Sequence, residues 1–256
     1  MRAAFLLLSL LPVFWAGACG PVGEEPDARI AVAANFREAA LALEENFEAT
    51  SGYDISQAFG ATGQLYAQIV NGAPFDAFLS ADQDRPELLI KDGLAFEETR
   101  FTYAKGELVL WTANETMLEG EDGPLILEGG DFRALAIANP DLAPYGVAAM
   151  ETLASLGLAD ALSDRIVRGQ SIGQTFAMVS TGGAEFGFVA ASQVLTPFGI
   201  DAGSGWIVPA HLHSPIRQDA VLLSHGSENA ASIAFLDYLQ TAEARLLIER
   251  YGYEAG

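Results

Sequence analysis

Residues 30–70 decide the reading: Ile30-Ala31-Val32-Ala33-Ala34-Asn35-Phe36 opens the stretch, and Phe59-Gly60-Ala61-Thr62-Gly63-Gln64-Leu65 lies near its end. Ile30 to Ala33 is a short apolar run of the kind a buried strand carries. It stops at Asn35, after which Phe36, Ala39, Ala40, Leu43 and Phe47 recur at helical spacing. Asn35 reads as the N-cap of that helix, with Glu38 as its partner in a capping box. Gly52 is placed to close the helix, and Asp54 to Ala58 is the next strand. Thr62 then opens a second helix with Leu65 and Ile69 on its buried face. Two such turns, following adjacent parallel strands, aim two helix N-termini into one crevice. Each presents unpaired backbone N–H groups and about half a positive charge. With the side chains of Asn35 and Thr62 added, the turns form a cradle for a small anion without a formal cation.

N-terminal to this stretch, Met1 to Ala18 reads as a signal peptide. Arg2 supplies the positive end, Ala3 to Trp15 is apolar but too short to span a bilayer, and Ala16-Gly17-Ala18 has the small-residue cleavage pattern. Cys19, the only cysteine, follows at once. Two readings compete there: ordinary cleavage with Cys19 as an incidental first residue, and a bacterial lipoprotein lipidated at Cys19. The segment is similar to a lipobox except that Ala16 stands where leucine is usual. Residues 19–28 form a tether. A single cysteine permits no internal disulfide, so stability must come from the core. The net charge of −21 excludes nucleic acid as a partner, since that requires a basic surface. It does not exclude an anionic ligand. Surface charge is screened over about 8–10 Å, whereas pocket amides act at contact distance.

C-terminal to it, the pattern continues β-α-β-α-β-α, with a strand at Phe75 to Ser80 and a helix running from Asp82 to Gly93, so a parallel sheet covered on both faces is expected. Thr102-Tyr103-Ala104-Lys105-Gly106 breaks the pattern, and the chain is read as crossing there into a second lobe. The first lobe is taken as 29–103, the second as 104–220, and 221–256 as a return segment. The second lobe repeats the logic. Leu135 to Ala138 is a strand, Pro144 suits a first helical position, and Ser171 with Gln174 forms a capping box. Phe186 to Ala190 is a buried strand, and Ala230 to Glu249 is one final helix. A chain that leaves one lobe, builds another and returns makes a hinged pair with the ligand between.

Several segments together resemble the molybdate-binding periplasmic component of ABC transporters. They are Val32-Ala33-Ala34-Asn35-Phe36, Gly60 to Tyr66, Asn71 to Asp76 leading into Phe78 to Asp82, Asn139-Pro140, Pro144-Tyr145-Gly146, Ile216 to Ala220, and Tyr251-Gly252-Tyr253. The resemblance covers about residues 29 to 253. It implies an α/β, two-lobed type II periplasmic binding protein fold, each lobe a mostly parallel sheet flanked by helices. It further implies capture of molybdate or tungstate without a cofactor, delivery to an ABC permease, and a monomer in the periplasm or at the extracytoplasmic face. The family's ligand positions fall on Asn35 with Ala34 beside it, Thr62 with the Gly63 amide near, the Tyr145 amide, and the Ile172 amide. Some relatives add a tyrosine hydroxyl after the Phe-Gly-Phe-Val strand, where this chain has Ala190. Tyr145 or Asn35 is expected to compensate.

Blander readings stand beside these. Asn35 and Thr62 each suit a simple cap, Ser171 is read as a cap, and the Tyr145 side chain as packing. His211 and His213 are read as loop histidines rather than a metal pair, and Asp76, Asp82 and Asp219 as caps and hinge contacts rather than catalytic carboxylates. Tyr103, Tyr251 and Tyr253 suggest an iron site but fall at the presumed hinge and terminus. Sulfate, another oxyanion or ferric ion remains the alternative ligand. An exported hydrolase is the lesser alternative, since the chain has no Walker loop or HExxH motif.

Overall fold

A computed structural model describes residues 25–118, 123–196, 199–200 and 202–256. The signal-peptide reading, Cys19 and the first part of the tether lie outside these residues. The chain begins with β1 (Ala28–Ala33), a 3-10 turn at Ala34–Phe36, α1 (Arg37–Ser51), β2 (Ile55–Gly60), α2 (Thr62–Val70), β3 (Ala77–Leu79), α3 (Asp84–Lys91) and β4 (Phe101–Gly106). It crosses into β5 (Leu108–Thr112), α4 (Gly123–Gly129), β6 (Leu135–Ala138), α5 (Pro144–Ser155), β7 (Ile166–Gly169), α6 (Ile172–Ser180) and β8 (Phe186–Ala190). A small hairpin, β9 (Leu195–Thr196) and β10 (Gly199–Ile200), precedes β11 (Ser204–Ile207). The return is β12 (Ile216–Leu222), α7 (Ala230–Leu239), α8 (Ala242–Arg250) and β13 (Glu254–Ala255).

Two sheets result, in the orders β13-β4-β12-β3-β1-β2 and β11-β5-β8-β6-β7. β1 pairs in parallel with β2 and β3, and β6 in parallel with β7 and β8. The strand arriving through each crossover, β12 in the first lobe and β5 in the second, runs antiparallel beside the third parallel strand. The lobes are thus built alike, and each sheet is covered on both faces. In β1, Ile30 and Val32 enter one core with Phe36, Leu43, Phe47 and Phe235. Ala31 enters the opposite core with Leu65, Phe78, Leu89 and Val221. That two-sided burial is why the strand reads as an unbroken apolar run. The second lobe divides the same way, Leu108 and Leu110 to one side and Val109 and Trp111 to the other. Among the described residues no helix is long and apolar enough to cross a membrane.

The structure corrects the expected boundaries. Residues 101–106 are a strand of the first lobe, not a break, because β4 pairs with β12 and buries Tyr103 and Ala104. The outward crossing therefore falls after Gly106. The return to the first lobe is complete by Ile216, since all of β12 belongs to its sheet. The final helix is two helices. Thr241 Oγ1 accepts the Ala244 N–H at 3.2 Å and caps a new helix, which leaves Ile233 and Leu246 39% and 58% exposed instead of packed.

Candidate functional site

The crevice lies where the C-terminal ends of β1 and β2 face those of β6 and β7. A small cavity there, about 10 Å³, is lined by Ala34, Asn35, Gly60, Ala61, Thr62, Ala81, Ala143, Pro144, Tyr145 and Ile172. Every expected site residue except Gly63 is in its wall. Thr62 and Ile172 are the first residues of α2 and α6, and Tyr145 follows Pro144 at the start of α5. Their N–H groups precede the first intrahelical acceptors. Together with the Asn35 N–H they donate to no acceptor among the described residues. The Thr62 hydroxyl oxygen accepts the Ala81 N–H at 3.2 Å, which directs its own proton away from that contact. The donors are uncharged and come from both lobes.

Gly63 does something else. Its N–H donates to the Leu142 carbonyl at 2.8 Å, across the cleft. A Cβ there would stand 3.1 Å from both Leu142 Cα and Arg85 Nη2. The glycine therefore lets the lobes approach, and its amide is engaged in linking them. Arg85 reinforces the link by donating to the Asp141 carbonyl at 3.1 Å while ion-paired to Asp82.

Asn35 is not a helix cap. Its Nδ2 gives one proton to Gln218 Oε1 at 2.8 Å and the other to Tyr253 Oη at 3.0 Å. Its carbonyl accepts from the Tyr253 hydroxyl at 2.7 Å and the Ser192 hydroxyl at 3.0 Å. Only its backbone N–H is left for the cavity, and Glu38 has no capping partner. Tyr145 likewise offers its amide, because its hydroxyl faces Gln218 Nε2 at 3.5 Å behind the cavity. Neither side chain replaces the donor missing at Ala190. Ser171 does cap, accepting the Gln174 N–H at 3.2 Å, but Gln174 Oε1 accepts from Gln170 N rather than closing a box on Ser171.

Tyr103, Tyr145 and Tyr253 are all buried in this cluster, and burial is the main cause raising each phenol above its ordinary value. The folded chain keeps protons that the unfolded chain releases above about pH 10. The stability so contributed is full below about pH 10 and is lost as pH climbs toward the folded values. Melting temperature should accordingly fall as pH passes about 10, and less steeply in Tyr253→Phe. Identical slopes in the two proteins would remove Tyr253 from this account.

The remaining candidates fall into structural roles. Asp76 accepts from Arg29 N at 2.7 Å and pairs with His225, and Asp82 Oδ1 caps the Arg85 N–H at 3.0 Å. Asp219 holds Arg100, Thr102 and Gln83. Among the described residues no group of three His, Cys, Asp or Glu could hold a cation. The wider groove between the lobes, about 470 Å³, is lined by Asp82, Asp84 and Glu151 as well as Arg85 and Arg217, and suits an anion poorly. Sequence reasoning missed Ser192, a single hydroxyl after a strand with no local pattern around it. Gln218 and Tyr253 lay inside recognised segments but carried no local sign of a role at the site.

Two α/β lobes of matching design, joined by crossover strands and enclosing a cavity walled by helix N-termini, define a two-lobed solute-binding protein. The model of the family described as bacterial extracellular solute-binding protein matches residues 28–254, and the chain belongs to that family, in its molybdate-binding ModA branch. It is 44% identical to the molybdate-binding protein ModA of Azotobacter vinelandii over 98% of both chains. It is 46% identical to ModA of Rhodobacter capsulatus, over 87% of this chain and 86% of that one. The solved Azotobacter vinelandii periplasmic molybdate-binding protein superposes with a TM-score of 0.85 at 38% identity, covering 88% of this chain and 98% of that chain.

Proposed function

We propose that this protein captures molybdate or tungstate outside the cytoplasm and delivers it to an ABC permease in the membrane. The observation that carries this reading is the cavity: unpartnered neutral donors from Asn35, Thr62, Tyr145 and Ile172 converge there without a cation or a carboxylate in the wall. A tetrahedral dianion has four oxygens, each able to accept more than one hydrogen bond, and such bonds to a charged acceptor are the stronger kind. Neutral donors supply them without the desolvation cost of a buried Arg or Lys. A protonated oxyanion would find no carboxylate to take its proton, which disfavours hydrogen phosphate. The names of the close relatives support molybdate as the guest. Among the described residues the Thr62 hydroxyl is hydrogen-bonded to the Ala81 N–H and to no carboxylate or imidazole, which supports binding without covalent chemistry. The protein acts as a monomer exported by the leader at 1–18, which is either cleaved ahead of Cys19 or replaced by a lipid anchor on it.

A thermal-shift panel of molybdate, tungstate, sulfate, phosphate and ferric ion tests this reading. Molybdate or tungstate at 100 times its dissociation constant should add about 2.7 kcal/mol of stability. For a chain of this size that raises the melting temperature by about 5–11 °C. A larger shift with sulfate or ferric ion at equal concentration would reassign the ligand.

A further inference from the structure

We infer that the Tyr145 and Ser192 hydroxyls, both engaged with first-lobe groups, are positioning groups that set how long the closed protein holds its anion. The inference rests on the oxyanion reading above. Both residues belong to the second lobe, and both hydroxyls reach first-lobe groups gathered around Asn35. Ser192 Oγ donates to the Asn35 carbonyl at 3.0 Å and lies 2.9 Å from Tyr253 Oη. Tyr145 Oη meets Gln218 Nε2 at 3.5 Å. Gln218 in turn holds the Asn35 side chain at 2.8 Å and receives the Tyr103 hydroxyl at 3.1 Å.

Two features make this more than hinge packing. Asn35 and Tyr145 each present a backbone N–H to the cavity while their side chains enter the same buried cluster. One donor from each lobe is thereby tied to the other through Gln218, so the cluster fixes their separation. The cluster also stands at the chain's crossings. Gln218 sits at the register shift of β12 as the chain returns, and a Cβ on Gly106, where it departs, would lie 2.0 Å from Tyr145 Oη. When the lobes separate, the Tyr145 and Ser192 hydroxyls lose these partners and are hydrated instead. Their contribution therefore belongs to the closed state, and closure must be undone before the anion leaves.

The test uses the full-length protein and two conservative variants, Tyr145→Phe and Ser192→Ala, which keep the backbone donors. Molybdate release is timed by chase with excess tungstate, association is measured separately, and the melting temperature is taken without ligand. Each variant should release molybdate about tenfold faster, the scale of one buried group left unpaired, with association and unliganded melting temperature unchanged. Release at the wild-type rate in both variants overturns the inference and leaves the oxyanion reading standing. Faster release matched by an equal loss of unliganded stability also overturns it, since that is packing rather than positioning. Failure of the wild-type protein to bind molybdate overturns the oxyanion reading and this inference together.

Discussion

Thr62→Asp is expected to abolish molybdate binding while the first lobe stays folded. The folded state should tolerate the change because a carboxylate can accept the Ala81 N–H that Thr62 Oγ1 now takes at 3.2 Å. An acid at the first position of α2 also suits the positive end of that helix, a gain of about 0.3–1 kcal/mol. That same positive end is what the anion uses. A unit negative charge about 4 Å from another costs about 4 kcal/mol at the effective dielectric of a protein surface. Against a dianion the cost doubles to about 8 kcal/mol, close to a millionfold in affinity. Loss of the hydroxyl donor adds about 1–3 kcal/mol. Calorimetry at concentrations that saturate the wild type should show no heat of binding, whereas Thr62→Ser should still bind. A Thr62→Asp protein within tenfold of wild-type affinity would take Thr62 out of the ligand's reach.

The cavity wall could be read from sequence because its parts are local. An apolar run that stops at a polar residue, followed by helical spacing, fixes the end of a strand and the start of a helix within a few positions. β1 into α1, β2 into α2, and Ser171 before α6 all lie where those patterns put them. Side-chain roles were harder, since they are decided by distant residues. Asn35 has the composition of a cap, but the partners that claim its amide protons, Gln218 and Tyr253, are 183 and 218 positions away. Nothing near Asn35 encodes them. Gly63 follows the same rule. Gly-Ala-Thr-Gly-Gln has the look of an anion loop, and only the approach of Leu142 from the other lobe shows that its second glycine serves closure. The break at Thr241 is a different kind of miss. A Thr followed by Glu243 was a local signal for a new helix, and the apolar spacing on both sides concealed it.

Gly146→Ala is expected to lower both stability and affinity, and Gly173→Ala neither. The two glycines occupy equivalent places, each one residue past a cavity amide, Tyr145 in α5 and Ile172 in α6. Helix propensity alone would make both changes favourable, by up to about 1 kcal/mol. Surroundings decide otherwise. A Cβ on Gly146 would fall 2.2 Å from the Ala138 carbonyl oxygen and 2.9 Å from Pro140 N. These are backbone atoms at the end of β6 and in the loop that carries Leu142, so no side-chain rotation can relieve the overlap. Either α5 moves outward, taking the Tyr145 N–H with it, or the loop shifts and disturbs the Leu142–Gly63 link. Overpacking of this kind costs about 1–3 kcal/mol, and a donor displaced from the anion costs binding in addition. A Cβ on Gly173 meets nothing nearer than 3.8 Å, so the methyl fits and α6 keeps its place. Thermal melts should show Gly146→Ala lowered by several degrees, with molybdate affinity reduced at least tenfold, and Gly173→Ala equal to or above wild type in both. Equal behaviour of the two variants would mean that the start of α5 is not held against the end of β6 as the structure places it, and that Tyr145 is not a fixed donor.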